Sequence, residues 1–203
     1  MKTPTQLLPL LRSQLQGDLL ALVYLHPEQE YSLSDLAKLL NSSVRMIHYE
    51  ATRLLKSGLL VDRRVGNVRL VRAETSSPLY RPLSDLLAVT FGPLPVLTEL
   101  LSEIDGVSSA YIYGSWAARY HGEPGPIPAD VDVIVVGTAK RADLDDCAQT
   151  AELRLRRPIS IRRVSQTTWD ESRSTSAFLV AVKSRPLITL TLESPKDHLV
   201  TLG

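Results

Sequence analysis

Two β-type runs joined by a two-residue turn follow directly on a helix stop, and this order constrains the N-terminal part of the chain more than any other feature. The runs cover 59–65 and 68–72, and the Gly66-Asn67 dipeptide between them is typical of a tight hairpin turn. The preceding helix is expected to end at Gly58, because glycine readily takes the left-handed conformation that closes a helix. The pattern therefore predicts a helix that leads straight into a β-hairpin.

Two further helices are predicted before that one. Ser32 is the expected cap of a short helix over 31–40, and a turn at 41–43 separates it from the helix that begins near Val44. In the first helix, apolar residues recur mostly at spacings of three and four, which gives one apolar face. These residues are Leu7, Leu8, Leu11, Leu15, Leu19, Leu20 and Val23. Helix, helix, turn, helix and hairpin is the element order of a winged helix-turn-helix.

Positive charge is concentrated in the same segment. Between Ser42 and Ala73 seven basic residues stand against two acids, a local charge of about +5, although the whole chain carries +1. The second helix of such a unit offers its N-terminal residues to base edges of double-stranded DNA, and a basic wing reaches phosphates or the minor groove. The candidate DNA-binding residues are Ser42, Ser43, Arg45, Met46, His48, Tyr49 and Arg53 on the helix and Arg63, Arg64 and Arg69 on the hairpin. The alternative is a domain that serves only dimerisation or docking.

The first 73 residues resemble the winged-helix domains of bacterial and archaeal transcription regulators of the ArsR type, and the segments 30–37 and 54–60 carry the likeness. The resemblance implies a DNA-binding domain over 1–73 that forms a homodimer through its long first helix. Neither paired cysteines nor clustered histidines accompany the likeness, so the metal sensing of some family members does not carry over.

Cysteine content and the N-terminal segment bear on the cellular compartment. Cys147 is the only cysteine, so no intramolecular disulfide can form, which fits a reducing environment. Polar and charged residues such as Arg12 and Asp18 interrupt the apolar residues of 1–20, which is not the pattern of a signal peptide or a membrane span. We therefore expect a cytoplasmic protein without membrane contact.

A second domain is predicted beyond a polar connector. The connector, 74–81, breaks both periodicities, so we place the domain boundary there and the second domain over 82–203. Within that domain the β-type run 109–113 leads into Gly114-Ser115 and then into a helical segment. Glycine at such a turn leaves backbone N–H groups open to a phosphate, and the serine adds a hydroxyl donor. Gly114 and Ser115 are therefore candidate nucleotide-binding and phosphate-binding residues.

Two carboxylates, Asp130 and Asp132, lie at the start of the next apolar strand, 130–137. Residues two apart on a strand point to the same face, about 6.6 to 6.8 Å apart along it. Both carboxylates can then bind one Mg²⁺, which prefers oxygen ligands and keeps positions for substrate phosphates. Such an ion would neutralise a nucleoside triphosphate and assist attack on its α-phosphorus. In the alternative interpretation, Asp130 caps a turn and Asp132 is a solvated residue at the strand edge.

The order of strand, Gly-Ser turn, helix, loop and Asp-x-Asp strand resembles the minimal nucleotidyltransferases of the polymerase β superfamily over roughly 107–186. Gly114, Ser115, Asp130 and Asp132 match the family motif, and the resemblance implies that the two aspartates are catalytic and bind the metal. It also implies a small mixed sheet with helices on one side. The expected fold class is therefore α+β, with a winged helix-turn-helix followed by a nucleotidyltransferase fold.

Two departures from the family pattern weaken the case for catalysis. Fourteen residues separate Ser115 from Asp130, which is more than small members of the family have. Active members also carry a third carboxylate on the next strand, expected here at 158–164, where Ser160 or Arg162 stands instead. Because that carboxylate serves as a metal ligand or as the base for the attacking hydroxyl, its absence argues for weak or lost turnover.

Three functions remain open at this point. The first is a DNA-binding transcriptional regulator whose nucleotidyltransferase-like domain binds a nucleoside triphosphate and Mg²⁺. The second is an active enzyme that transfers a nucleotide to a protein, an RNA or a small molecule. The third is an antitoxin-like module that acts by binding a protein partner.

Overall fold

The structure is a computed structural model that describes residues 11–171 and 176–192. It is a mixed α+β protein with two separate sheets, which confirms the predicted class. The chain divides into two compact units, Met1–Gly92 and Pro93–Gly203. Leu7 and Leu8 of the predicted first helix and the tail 193–203, to which the sequence analysis gives no role, lie outside the described residues.

The first unit has the element order and sheet topology of a winged helix-turn-helix. Its elements are α1 (Gln14–Leu25), β1 (Tyr31–Ser32), α2 (Leu33–Leu39), α3 (Val44–Lys56), β2 (Leu60–Val65), β3 (Val68–Ala73) and α4 (Tyr80–Phe91). The strands form an antiparallel sheet in the order β1-β3-β2. Val65 pairs with Val68, so the predicted two-residue turn at Gly66-Asn67 is confirmed.

Serine hydroxyls begin the first three helices. Ser13 accepts a hydrogen bond from the backbone N–H of Gln16 at the start of α1 (3.2 Å), and Ser32 accepts one from Asp35 at the start of α2 (3.1 Å). These bonds satisfy backbone donors that have no partner inside a helix. Ser32 is the cap that the sequence predicts.

The described part of α1 is buried by its own unit. All residues from Leu19 to Leu25 are buried, and α4 packs against the helix, with Phe91 beside Gly17. Leu19, Leu20 and Val23 of the leucine face that we expected to carry a homodimer are therefore already covered within the unit, whereas Leu11 and Leu15 are half-buried. Dimerisation stays a prediction.

Helix α4 belongs to the first compact unit of the structure. The Tyr80 ring stacks on Tyr24 of α1 at 5.5 Å between centroids, and α4 belongs to the first unit. The first compact unit of the structure ends at Gly92, whereas the sequence pattern predicts a linker at 74–81 and a second domain from 82. The connector is polar, but the apolar face of α4 packs on α1.

Ionisation of the Tyr24 hydroxyl is expected to lower the stability of the first unit at alkaline pH. It donates a hydrogen bond to the carbonyl of Leu59 at 2.8 Å, and burial, followed by Tyr80 and Glu74, raises its pKa from 10.0 to about 12. Because the folded pKa lies above the ordinary value, this stabilisation is complete below pH 10 and is lost as the pH rises through about 12. Unfolding followed by circular dichroism should show a steeper loss of stability over this range in the wild type than in Tyr24→Phe. Tyr120→Phe, at an exposed tyrosine, is the control, and parallel curves for wild type and Tyr24→Phe would contradict the prediction.

The second unit is built on one mixed sheet. Its elements are α5 (Pro93–Ser102), β4 (Val107–Tyr113), α6 (Gly114–Tyr120), β5 (Val131–Gly137), α7 (Arg141–Leu155), β6 (Ile159–Val164), α8 (Gln166–Asp170), α9 (Ala177–Lys183) and β7 (Ile188–Leu190). The strand order is β6-β5-β4-β7, with β4 antiparallel to both neighbours and β5 parallel to β6. The mixed sheet expected from the resemblance is present.

Helices cover both faces of this sheet, which corrects the expectation of helices on one side. Ile134 and Val136 of β5 pack with Trp169 of α8 and with Leu179 of α9. Residues at the alternate positions of β5, such as Val133, are equally buried, and α5 and α7 contact the sheet through β4 and β6. The central strand is therefore apolar at nearly every position because neither face meets water.

One segment, Tyr80–Ser102, has the length and the mean hydropathy of 1.3 that a membrane-crossing helix can have. In the structure it consists of two helices of 12 and 10 residues, separated by Gly92 in an extended conformation. A membrane span needs about 20 helical residues, so each of these two helices is too short by itself.

Candidate DNA-binding face and candidate nucleotide site

Helix α3 turns one face to the core of the first unit and the opposite face to solvent. Ile47, Ala51 and Leu54 are buried on the inner side. Most of the predicted DNA-binding residues of this region are exposed, whereas Ser42 and Arg53 are half-buried. The exposed ones are Ser43, Arg45, Met46, His48 and Tyr49. The structure thus brings the predicted recognition residues together on one surface.

The start of α3 is fixed by Ser43. Its hydroxyl accepts a hydrogen bond from the backbone N–H of Met46 at 3.3 Å, and the preceding N–H of Ser42 bonds to the carbonyl of Ala37 at 2.9 Å. The first turn of α3 contains no acidic residue. Because a helix N-terminus carries partial positive charge, this end of α3 favours an anionic or electron-rich partner.

Glu50, the only acidic residue of α3, lies on the buried face of the helix. Glu50 is only 3% exposed, and its Oε2 atom lies 3.6 Å from Nη1 of Arg53. Arg53 is in turn stacked over the ring of Tyr49, as is Arg12 from the segment before α1. Sequence reasoning missed Arg12 because no local pattern links it to α3.

The hairpin β2-β3 carries fewer available cations than the sequence suggests. Arg63 donates from Nε to both carboxylate oxygens of Glu30 at 2.9 Å, and Nε of Arg69 donates to Asp62 at 2.7 Å. The hydrogen bond between Glu30 and Arg63 is the main reason why the pKa of Glu30 is lowered and the pKa of Arg63 is raised. Arg64 is exposed and pairs with no carboxylate of the described residues. Of the three arginines predicted for the wing, one is therefore free to meet a phosphate without first leaving an ion pair.

In the second unit, the Gly-Ser turn and the second aspartate lie side by side. Tyr113, at the end of β4, pairs in register with Asp132 of β5. Gly114 has φ +74, and a Cβ atom at this position would lie 3.1 Å from Oδ2 of Asp132. Ser115 is exposed in the first turn of α6, and Asp130 is exposed just before β5. The four motif residues therefore lie at one end of the β4-β5 pair.

The charge of Asp130 and partial burial both act on Asp132. Burial, followed by the charge of Asp130, raises the pKa of Asp132, and Arg162 acts in the opposite direction. The pKa of Tyr113 is also raised, by burial and then by Asp132. Asp132 thus lies in a partly desolvated site that already holds one like charge and one opposite charge nearby.

Asp130 and Asp132 can hold Mg²⁺ only if a substrate supplies further oxygen ligands. In residues 11–171 and 176–192, no group of three or more His, Cys, Asp or Glu side chains could hold a metal ion. Two carboxylates are too few for a closed protein site, but Mg²⁺ commonly uses one or two carboxylates and completes its shell with water and substrate phosphates. Asp130 and Asp132 suit that arrangement, in which the nucleotide supplies the remaining ligands.

The strand register shows which residue of β6 lies beside Asp132. Asp132 lies opposite Ser160 on β6, and Arg162 lies opposite Ile134. The guanidinium of Arg162 stacks over the ring of Phe178 at 4.2 Å. A hydroxyl and not a carboxylate therefore lies beside Asp132 on β6.

An open pocket of about 450 Å³ lies at the opposite end of β5 and β6. It is lined by Gly137, Thr138, Arg163, Val164, Ser165 and Thr168. None of the four motif residues contributes to it, so the pocket and the aspartates are separate features of the second unit.

Comparison with known proteins gives distant similarities only. No family model matches this chain, and no curated protein matches it. Among solved structures it is similar to reduced HlyU from Vibrio cholerae N16961, with 18% identity and a TM-score of 0.34 over 41% of this chain and 82% of HlyU. It is also similar to the adhesin competence repressor AdcR from Streptococcus pyogenes, with 21% identity and a TM-score of 0.32 over 38% of this chain and 55% of AdcR. The heme sensor protein PefR from Streptococcus agalactiae, in complex with heme, matches with 18% identity and a TM-score of 0.33 over 38% of this chain and 54% of PefR.

Proposed function

We propose that this protein is a cytoplasmic DNA-binding transcriptional regulator, and that its second unit binds a nucleoside triphosphate with Mg²⁺. The observation that carries the DNA-binding part is the composition of the exposed face of α3. This face presents Arg45, His48 and Tyr49, while the only acid of the helix, Glu50, is buried. An α-helix is about 10–12 Å wide with its side chains, which matches the major groove of about 12 Å.

The test of this part is a salt titration with duplex DNA. The protein is added to a fluorescein-labelled duplex of random sequence, and anisotropy is measured from about 50 to about 200 mM salt. Because cationic side chains release counterions from phosphates, the logarithm of the binding constant should fall linearly with the logarithm of the salt concentration. The absence of binding at the lowest salt concentration would contradict the proposal.

Nucleotide binding by the second unit is a separate proposal with its own support. The absence of a side chain at Gly114 leaves space beside Asp132, and Ser115 offers a hydroxyl at the same turn. Asp130 and Asp132 would hold the ion, which offsets the negative charge of the triphosphate when bound. With Ser160 beside Asp132, no carboxylate of β6 is available as a base, which favours binding without turnover.

Replacement of both aspartates should remove Mg²⁺-dependent nucleotide binding. The Asp130→Asn/Asp132→Asn variant keeps side-chain size but loses both negative charges, so we expect affinity for ATP or GTP with Mg²⁺ to fall by about tenfold or more. Calorimetric titration measures this, and Asp143→Asn/Asp146→Asn, at two exposed acids of α7, is the matched control. Since the pKa of Asp132 is raised, protonation should weaken binding at a higher pH than for an ordinary aspartate.

The alternative of an active enzyme gives a different result in the same samples. Incubation of the wild type with labelled nucleoside triphosphate, Mg²⁺ and candidate acceptors would transfer label to an acceptor, and the double variant would not. Equal affinity of wild type and double variant for nucleotide would contradict the proposed site itself, whatever the outcome of the transfer assay.

A further inference from the structure

Arg12 lies beside the exposed face of α3, although it precedes the first helix. Its backbone is held at the start of α1, where its N–H donates to Oε1 of Gln16 at 3.0 Å. Its guanidinium lies 5.8 Å from the centroid of the Tyr49 ring, and that of Arg53 lies 6.0 Å from the same centroid. Tyr49 is 51% exposed, so two cations flank an aromatic ring that is open to solvent.

Only one of the two arginines has a carboxylate close to its guanidinium group. Arg53 has the buried carboxylate of Glu50 at 3.6 Å. Arg12 is exposed, and among the described residues no carboxylate pairs with it. An exposed cation–π contact is weak, and two guanidinium groups on one ring repel each other. The arrangement therefore favours an anion from outside the chain beside Arg12.

The place of Arg12 next to α3 indicates which anion that is. A helix that fills the major groove has its flanks against the two sugar-phosphate rims of the groove. A side chain beside the helix therefore meets phosphate and not base edges. The planar fork of arginine is well suited to phosphate oxygens.

We infer that Arg12 is a phosphate-contacting residue of the DNA-binding face, which its place at the start of α1 brings beside Tyr49. The inference rests on the proposed DNA binding of the first unit. It extends the interface to the segment before α1, which contributes affinity without sequence preference.

Full-length Arg12→Ala and Arg12→Lys are compared with the wild type in anisotropy titrations with a random-sequence duplex. Loss of one phosphate contact should reduce the salt slope by about 0.9 and weaken binding about five- to tenfold at about 0.1 M salt. Arg12→Lys keeps the charge and should keep most of the slope. Arg81→Ala removes an exposed arginine of α4 and should leave the slope unchanged, which separates a local contact from an effect of net charge.

The outcomes distinguish the inference from the proposed function. If the wild type binds with a clear salt slope and Arg12→Ala has the same slope, the inference alone is overturned. A loss of affinity at constant slope, or an equal slope change in Arg81→Ala, also overturns it, because either result indicates an indirect role. If the wild type does not bind duplex DNA at any salt concentration, the proposed function fails and the inference fails with it.

Discussion

The Arg45→Ala/Arg64→Ala double variant is expected to bind duplex DNA about 50-fold more weakly than the wild type at about 0.1 M salt, with a salt slope lower by about 1.8. Both arginines are exposed, and neither pairs with a carboxylate of the described residues. One lies in the first turn of α3 and the other on β2, so they are expected to meet different phosphates. Anisotropy titration with a random-sequence duplex gives both quantities.

The matched control is Glu30→Gln/Asp62→Asn/Arg63→Gln/Arg69→Gln, which removes the same number of arginines together with their carboxylate partners and leaves the net charge unchanged. In the wild type these arginines are paired with Glu30 and Asp62, so binding a phosphate requires exchange of one anionic partner for another. We expect a clearly smaller loss of affinity for this control variant. A control variant that loses as much affinity as the test variant would contradict the distinction between free and paired arginines.

The Gly137→Ala variant is expected to destabilise the second unit by about 3 kcal/mol or more. Gly137 has φ +138, and a Cβ atom there would lie 2.1 Å from the carbonyl oxygen of Gly106. That oxygen already accepts hydrogen bonds from the N–H groups of Thr138 and Ala139, at 2.8 and 3.1 Å. The methyl group therefore meets fixed backbone, and relief of the overlap would break these bonds at the end of β5.

Tryptophan fluorescence can follow this unit selectively, because the only two tryptophans of the chain, Trp116 and Trp169, lie in it. Urea unfolding should show a lower midpoint for Gly137→Ala at an unchanged slope. Gly125→Ala is the control, since a Cβ atom at Gly125 would meet nothing within 4 Å. Coincident unfolding curves for Gly137→Ala and the wild type would contradict the prediction.

Local signals in the sequence were sufficient for the helices α1 to α3 and for the hairpin β2-β3. The Gly66-Asn67 turn and the Ser32 cap depend on residues close in sequence, and the structure has both of them. The apolar strand was predicted for the same reason, because strand periodicity is local, but it begins at Val131, so Asp130 precedes it and only Asp132 lies on it. The register between Tyr113 and Asp132 then brings the Gly-Ser turn to Asp132.

Features that depend on distant parts of the chain could not be predicted. The pair Glu30–Arg63 removes an arginine from the expected DNA surface, and no pattern within either segment indicates such pairing. The apolar face of α4 has the same periodicity whichever unit it packs against, so the sequence could not assign it to the first. The approach of Arg12 to Tyr49 likewise depends on how α1 packs in the unit.

The ion pairs of Arg63 and Arg69 lower the number of phosphate contacts that the salt dependence of DNA binding will report. An arginine that leaves Glu30 or Asp62 for a phosphate exposes a carboxylate beside the DNA. The arginine and the carboxylate together carry no net charge, so they do not neutralise the phosphate. Few counterions are then released by that exchange. The seven basic residues between Ser42 and Ala73 therefore overstate the phosphates that the salt slope will report.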